Sequence, residues 1–205
     1  MRPKLASMRN AIMVGDRVYL RPLERADAVA FAAATAAETT MFSKTGRLPL
    51  SSLAFEEAFD GSLPAGPPGA ISFAVARIAD DRLLGSVALL DIDWVNRTAE
   101  TASYLMSEDV RGQGYGTGAK MLLLEYAFDR IHLHVVQSWV RSSNTRSAAA
   151  LVKQGYRPSG RRYWKGFQAG DYVDHLIFDL LRHEWIAARA EWRLHAATRT
   201  ADPDR

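Results

Sequence analysis

The stretch Arg111-Gly112-Gln113-Gly114-Tyr115-Gly116-Thr117-Gly118 puts glycine at every second position just before a run of helix formers that begins Ala119-Lys120. Glycine loses more conformational entropy on folding than any other residue, so this density needs a reason in the backbone. A glycine-rich loop entering a helix presents consecutive N–H groups with no side chains in front of them, which makes an anion cradle. Arg111 adds a planar cation suited to phosphate. The segment therefore asks for a helix behind the loop and for β structure against which that helix packs.

The loop alone leaves several readings open, a ligand-free turn among them. A Walker A loop fails, because Gly118 is followed by Ala119-Lys120-Met121 and not by Lys-Ser/Thr. Residues 114–119, GYGTGA, satisfy the dinucleotide pattern G-x-G-x-x-A. Yet SEDVR separates them from the preceding apolar strand, and the next strand, VVQSWVR, ends in Arg141 where an acidic ribose ligand belongs. A coenzyme A pyrophosphate loop, Arg/Gln-x-x-Gly-x-Gly/Ala, is filled by Arg111, Gly114 and Gly116.

The 205 residues fit one domain with extensions, and the absence of cysteine excludes disulfides, thiolate nucleophiles and cysteine-bound metals. A net charge of +3 allows an anionic ligand but lacks the dense basic stripe of a nucleic-acid binder. No stretch approaches the roughly 20 apolar residues of a membrane span, and the N-terminus lacks a signal peptide's apolar core. A cytoplasmic enzyme is the expectation, with a flexible leader over 1–13, a single domain over 14–183, and a helix and tail over 184–205.

Hydrophobic periodicity and turn residues predict strands over 17–22, 71–78, 83–92, 98–106, 134–140 and 172–181, with a further strand opening at Gly155-Tyr156. Helices are expected over 25–41, 51–60, 119–130, 145–154 and 183–198, and a Pro/Gly loop over 63–70. The order gives an α/β fold: a mixed sheet of about seven strands, about four flanking helices and a C-terminal helical extension.

Downstream of the loop stand Asn144, Ser147 three residues on, and the pair Gly155-Tyr156 at eleven and twelve residues. With the strand TAETASYLM and the loop SEDVRGQGYGTGA, these resemble the acetyl-CoA motif of the GNAT superfamily of N-acetyltransferases. The opening GDRVYLRPLERADA and the ending GDYVDHLIFDLLRHEW resemble its RimJ/RimL-type branch. The resemblance covers roughly residues 14 to 185. It implies a mostly antiparallel sheet with a central splay, and a pantetheine arm lying in that splay as a pseudo-strand. Backbone groups near Met106 would bind the arm or the acetyl carbonyl. Amides of Gly112, Gln113, Gly114, Tyr115, Gly116 and Thr117 would bind the pyrophosphate beside Arg111, with Asn144 and Ser147 also facing the cofactor.

The implied chemistry is direct attack of an amine on the thioester of acetyl-CoA, with no acyl-enzyme and no metal. Such a site needs alignment, a proton acceptor for the ammonium and a proton donor for the departing thiolate. Glu100 is the leading base, on one strand face with Ala102, Tyr104 and Met106; Asp93 is the second candidate. The family's tyrosine acid would stand at Leu151, a departure here, and Ser147 matches a serine assigned that role in RimJ/RimL-like members. An early-helix serine making a local hydrogen bond is the plainer reading of Ser147. His132 and His134 lack a third ligand for a metal, Tyr156 reads as core, and the tryptophans read mostly as packing.

The acceptor implied by the branch is a protein N-terminal amine. The alternatives are a small-molecule amine, such as a polyamine or aminoglycoside, and a non-catalytic CoA-binding regulatory domain. Asp91, Asp93, Glu100, Glu38, Glu56, Glu57 and Asp60 give modest acidity near the acceptor side. A homodimer is expected from the branch.

Overall fold

A computed structural model describes residues 8–37, 50–60, 66–168 and 170–201, with backbone alone from residue 194 onward. One sheet of eight strands forms the centre, in the order β1-β2-β3-β4-β5-β6-β8-β7. The strands are β1 (Met13–Val14), β2 (Val18–Pro22), β3 (Ile71–Arg77), β4 (Leu83–Asp93), β5 (Thr98–Leu105), β6 (Val135–Arg141), β7 (Arg157–Gln168) and β8 (Asp171–Leu181). All neighbours run antiparallel except β5 and β6, which are parallel.

The strand beyond the expected seven is the two-residue β1, too short to carry a readable period. It lies at the edge of the stretch read as a leader. There Ile12 N–H donates to the Leu20 carbonyl over 2.8 Å, and Met8 and Met13 are buried. Residues 8–13 are thus packed against β2.

The helices are α1 (Ala28–Ala37), α2 (Ser52–Phe59), α3 (Tyr115–Glu125), α4 (Thr145–Lys153) and α5 (Arg182–Ala201). A 3-10 turn over Arg25–Asp27 leads into α1, closed by reciprocal capping between Glu24 and Asp27. The expected end of that helix, residues 38–41, lies outside the described residues. Phe31 of α1 meets Phe59 and Phe55 of α2 at 5.3 and 6.0 Å between ring centroids, and Tyr104 of β5 at 6.2 Å. These contacts lay α1 and α2 over the sheet face that carries the even-numbered residues of β5.

The opposite face is covered by α3, in which residues 119–124 are all buried. It begins inside the glycine stretch, at Tyr115, and not at Ala119, and it ends in a π-type turn over Tyr126–Arg130. Strand β7 starts later than Gly155-Tyr156 because Gly155 sits at φ +95°, still in the turn, where an added Cβ would stand 2.5 Å from Ala188 Cβ. Trp185 of α5 is fully buried and stacks on Phe128, so the start of α5 belongs to the main core. No helix among the described residues is long and apolar enough to cross a membrane.

The feature that positions the site is the parallel pair. β5 and β6 are registered only at Thr98↔Val135, Ala99↔Val136 and Glu100↔Gln137, although both strands continue beyond. A V-shaped gap opens from that point, as expected for a splayed sheet. Two hydroxyls close its apex: Thr101 Oγ1 donates to the Gln137 carbonyl over 3.3 Å, and Ser138 Oγ to the Thr101 carbonyl over 3.1 Å.

Candidate active site

Because β5 and β6 are parallel, the loops that leave their C-terminal ends sit together at the open end of the gap. The glycine loop leaves β5 and the turn into α4 leaves β6. The edge of β5 that faces the gap follows from the register. Met106 N–H donates to the Leu84 carbonyl over 3.0 Å, so Met106 faces β4. In an antiparallel ladder the direction alternates, which turns the backbone of Ser103 and Leu105 toward the gap. Of the backbone groups expected near Met106 to face a ligand, the N–H of Met106 itself is engaged with β4, and the residues of odd number carry the edge that faces the gap.

A 3-10 turn over Glu108–Val110 leads into the loop, where Gly112 and Gly114 adopt φ +79° and +83°. An added Cβ at either would meet nothing within 4 Å, so the left-handed backbone, and not space, demands glycine there. Gly114 is the N-cap of α3, which leaves the N–H groups of Tyr115, Gly116 and Thr117 as the uncapped first turn. Gly116 serves packing, since a Cβ would lie 3.2 Å from Leu105 Cδ1. Arg111 folds back on the strand, its Nη2 donating to the Leu105 carbonyl over 3.0 Å. Gln113 is held from the far side, its carbonyl accepting from Arg17 Nη1 at 2.7 Å, while the Arg17 guanidinium lies 4.4 Å from the Tyr115 ring centroid.

At the apex, on the α1–α2 face, Glu100 is half-buried and its Oε1 accepts from Trp139 Nε1 over 2.8 Å. Burial pushes its carboxyl above the ordinary value; the indole N–H opposes this, Asp91 adds to it, and Arg162 and Lys120 oppose it. Trp139 in turn stacks on His175 at 4.0 Å with 5° between planes. Burial pushes His175 below its usual value, and the charges of Arg141, Lys165 and Arg162 add to that. Asp93 is committed elsewhere. Its Oδ1 accepts from Val95 N and Asn96 N at 2.9 and 2.8 Å and its Oδ2 from Asn96 Nδ2 at 2.7 Å, which caps the β4–β5 turn and holds its carboxyl low. A group so engaged is an Asx cap and not a poised base.

On the other face, Asn144 caps α4, its Oδ1 accepting from Ser147 N over 3.1 Å. Ser147 is partly exposed in the first turn of that helix. Leu151 is buried, and its carbonyl accepts from Tyr156 N over 3.1 Å. Tyr156 is 2 % exposed, and its hydroxyl lies 2.7 Å from Thr101 Oγ1 at the apex of the gap. Lys120 of α3 is 3 % exposed, with its ammonium 6.0 Å from the Tyr156 ring centroid.

The sequence profile described as an acetyltransferase (GNAT) domain matches residues 17–157. The chain belongs to the GNAT family. Among relatives, it is 30 % identical over 106 residues to the putative ribosomal N-acetyltransferase YdaF of Bacillus subtilis, covering 52 % of this chain and 57 % of that protein. It is 30 % identical over 111 residues to the probable N-acetyltransferase YjcK of the same organism, covering 53 % and 60 %. The matched region thus spans less than two thirds of these relatives. Among solved structures, the Vibrio cholerae spermidine N-acetyltransferase in complex with CoA and spermine superposes with a TM-score of 0.72 at 21 % identity, covering 82 % of this chain and 98 % of that one. A chimera of the V. cholerae enzyme SpeG with hSSAT gives 0.74 at 22 % identity, covering 83 % and 99 %. These two likenesses show the fold.

Within this GNAT domain the residues singled out from sequence divide by place. Glu100 stands at the apex, the glycine loop and the Asn144–Ser147 turn stand at the open end, and Asp93 stands apart in its turn. Three participants escaped sequence reading. Trp139 read as packing, though an apolar strand residue opposite a glutamate with a free indole N–H is a donor. Arg17 read as the start of a strand. Lys120 sits in the helical run AKMLLL, whose unbroken apolar neighbours were the signal that the lysine is buried with them.

Proposed function

We propose that the chain is an acetyl-CoA-dependent N-acetyltransferase that passes the acetyl group directly to a primary amine, with a protein N-terminal amine as acceptor. The observation that carries this reading is the gap between β5 and β6, with a bare helix N-terminus at its open end and a half-buried carboxylate at its apex. The residues fit the donor: the first turn of α3 offers uncapped N–H groups to a pyrophosphate, and the edge of β5 offers Ser103 and Leu105 to a pantetheine arm. The proposed roles of Arg111, Gly112 to Thr117, Asn144 and Ser147 are to bind and orient that substrate.

Glu100 acts as base in this reading. Its raised carboxyl affinity for protons suits it to take the ammonium proton, directly or through a water, and the Trp139 N–H fixes the oxygen that does so. With Asp93 engaged in its turn, Glu100 is the carboxylate left for this role at the apex. The acetyl oxygen would gain charge beside the gap-facing N–H groups of β5, in the manner of an oxyanion site.

The acceptor reading rests on the RimJ/RimL-type resemblance and on the name of the ribosomal relative. Charge supports it as well, because Arg162 acts on Glu100, and Arg141, Arg162 and Lys165 act on the His175 that stacks on Trp139, a poor neighbourhood for a polycation. The second reading, a small-molecule amine, is favoured by the spermine-bound structural neighbour. The exposed edge strand β7, with Tyr163 and Trp164 each 74 % exposed, supports the homodimer expected of the branch, which light scattering would test.

The test is thiol release from acetyl-CoA with N-terminal peptides, polyamines and aminoglycosides as acceptors, alongside a CoA titration followed by thermal shift. Stabilisation by CoA with release on peptides supports the main reading, and release on polyamines alone supports the second. CoA binding with no release by any amine supports a regulatory domain. The absence of CoA-induced stabilisation would count against the assignment as a whole.

A further inference from the structure

The apex of the β5–β6 gap carries an ionisable group on each face of the sheet. Glu100 lies on the α1–α2 face, and Lys120 comes from α3 on the opposite face. A lysine does not belong by chance in a run where residues 119–124 are all buried. Among the described residues the one charge acting on its ammonium is that of Glu100, across the apex. An ammonium taken out of water without an ion-pair partner costs folding free energy, so a lysine kept there points to function.

The aromatic neighbour of that ammonium is Tyr156. The Lys120 Nζ lies 6.0 Å from the Tyr156 ring centroid, the Tyr156 hydroxyl touches Thr101 Oγ1 at 2.7 Å, and the Tyr156 N–H donates to the Leu151 carbonyl at 3.1 Å. Lys120 therefore lies against the ring whose hydroxyl reaches Thr101 at the closed end of the gap, while Leu151, at the position of the family's tyrosine acid, has no proton to give.

We propose that Lys120 is the acid that protonates the departing coenzyme A thiolate, an inference that rests on the acetyltransferase reading above. The amine nitrogen forms its bond to the thioester carbonyl carbon, and the carbon–sulfur bond breaks. The electron pair stays on sulfur, which takes a proton from the Lys120 ammonium and leaves as the free thiol. The acceptor enters as the free amine, the proton its nitrogen carries after attack passes to Glu100, and solvent restores both groups after release. Burial holds the Lys120 ammonium near pKa 7, against the opposing pull of Glu100, and pushes Glu100 upward. Two groups whose affinities are moved toward each other from opposite ends suit an acid and a base working at neutral pH. Tyr156, whose hydroxyl burial pushes above its usual value, stays neutral beneath the ammonium.

The test reads the thiol itself. Free CoA is bound to the whole chain and its thiolate followed by ultraviolet difference absorbance against pH, with desulfo-CoA as reference. In the parent protein the bound thiol should ionise about one to three units lower than in Lys120→Met, as expected for a nearby cation. Lys120→Arg keeps the charge but releases no proton. It should preserve the low thiol pKa while turnover falls about 100-fold and CoA affinity holds within a few-fold. Equal thiol ionisation in parent and Lys120→Met, or parental turnover in Lys120→Arg, would overturn the assignment and leave the acetyltransferase reading intact. Failure of the parent to bind CoA would overturn both. Thermal melts of each variant verify that it is folded.

Discussion

Trp139 and Glu100 are joined across the closed end of the β5–β6 gap, the indole Nε1 donating to the carboxylate over 2.8 Å. The parallel register ends at Glu100↔Gln137, so this hydrogen bond links the two strands at the point where their backbones part. It favours the ionised carboxylate against the burial that disfavours it. Trp139→Phe removes the donor and keeps the ring, so Glu100 should hold its proton to higher pH. As a base must be deprotonated, the acidic limb of kcat/KM should move upward, with little change at high pH. Glu100→Gln should cost about 100- to 10,000-fold in turnover with CoA affinity retained. A Trp139→Phe profile superimposable on the parent's would remove Glu100 from the role of base.

Gly114 holds a left-handed backbone at the N-cap of α3. At φ +83° a β-branched side chain costs about 1–2 kcal/mol or more, and it also screens the N–H groups of the first turn of α3. Gly114→Val should weaken CoA at least about 10-fold by calorimetry, in line with that cost. Gly118→Ala, where a Cβ makes only an ordinary 3.5 Å contact with Val18 Cγ2, should bind within a few-fold of the parent. Unchanged affinity in Gly114→Val would sink the loop assignment.

The parts of the site written in glycine and asparagine were legible because they encode backbone geometry: a left-handed cradle and a helix cap leave their mark in a single chain position. The order of elements along the chain followed from period and turns, with α3 starting four residues earlier than the run at Ala119 suggests. What escaped depends on contacts between distant segments. Asp93 stands as the second candidate base until the turn it caps claims both its oxygens, Trp139 passes for packing, and nothing in the sequence reading singles out Lys120. The strand Met13–Val14 was too short for any pattern, and its place is set by the Leu20 backbone.

Ser147 and Lys120 divide the work left open by Leu151. Ser147 offers its N–H to Asn144 at the N-terminus of α4, at the open end of the gap, while Lys120 lies against Tyr156, whose hydroxyl reaches Thr101 at the apex. Ser147→Ala should therefore lower turnover by less than Lys120→Met does, and steady-state kinetics on the two variants and their double mutant would rank them. A larger loss for Ser147→Ala, with CoA affinity unchanged, would return the acid role to the serine.

Lys120 also carries a signature in stability. Its folded pKa of about 7 lies below the ordinary 10.5, so below about pH 7 both states hold the proton and the burial cost is present in full. Between the two values the unfolded chain binds a proton that the folded one does not, and stability rises with pH; above both, the cost is gone. Relief of even ~1 kcal/mol corresponds to about 2–4 °C in Tm for a chain of this size. Lys120→Met should melt higher than the parent by at least that amount near pH 6, with the advantage shrinking toward pH 10. A more stable but slower enzyme is the trade expected of a functional buried charge, and a lower melting point at acid pH would contradict it.

The acceptor wall gives the last prediction. Arg162 acts on the Glu100 carboxylate, and Arg162, Lys165 and Arg141 all act on His175, which stacks against Trp139. A polyamine entering there meets like charge, whereas a peptide with an acidic residue close behind its N-terminal amine meets its complement. Arg162 and Lys165 are exposed, so each contributes modestly and is screened by salt. Replacing both with glutamate should lower kcat/KM for acidic N-terminal peptides roughly 3- to 10-fold at low salt, as a few tenths to one kcal/mol per charge implies. It should raise kcat/KM for spermidine by a similar factor, and both effects should fade in high salt. Equal or better use of acidic peptides by the double variant would show that these cations face away from the acceptor and would shift the balance to the small-molecule reading.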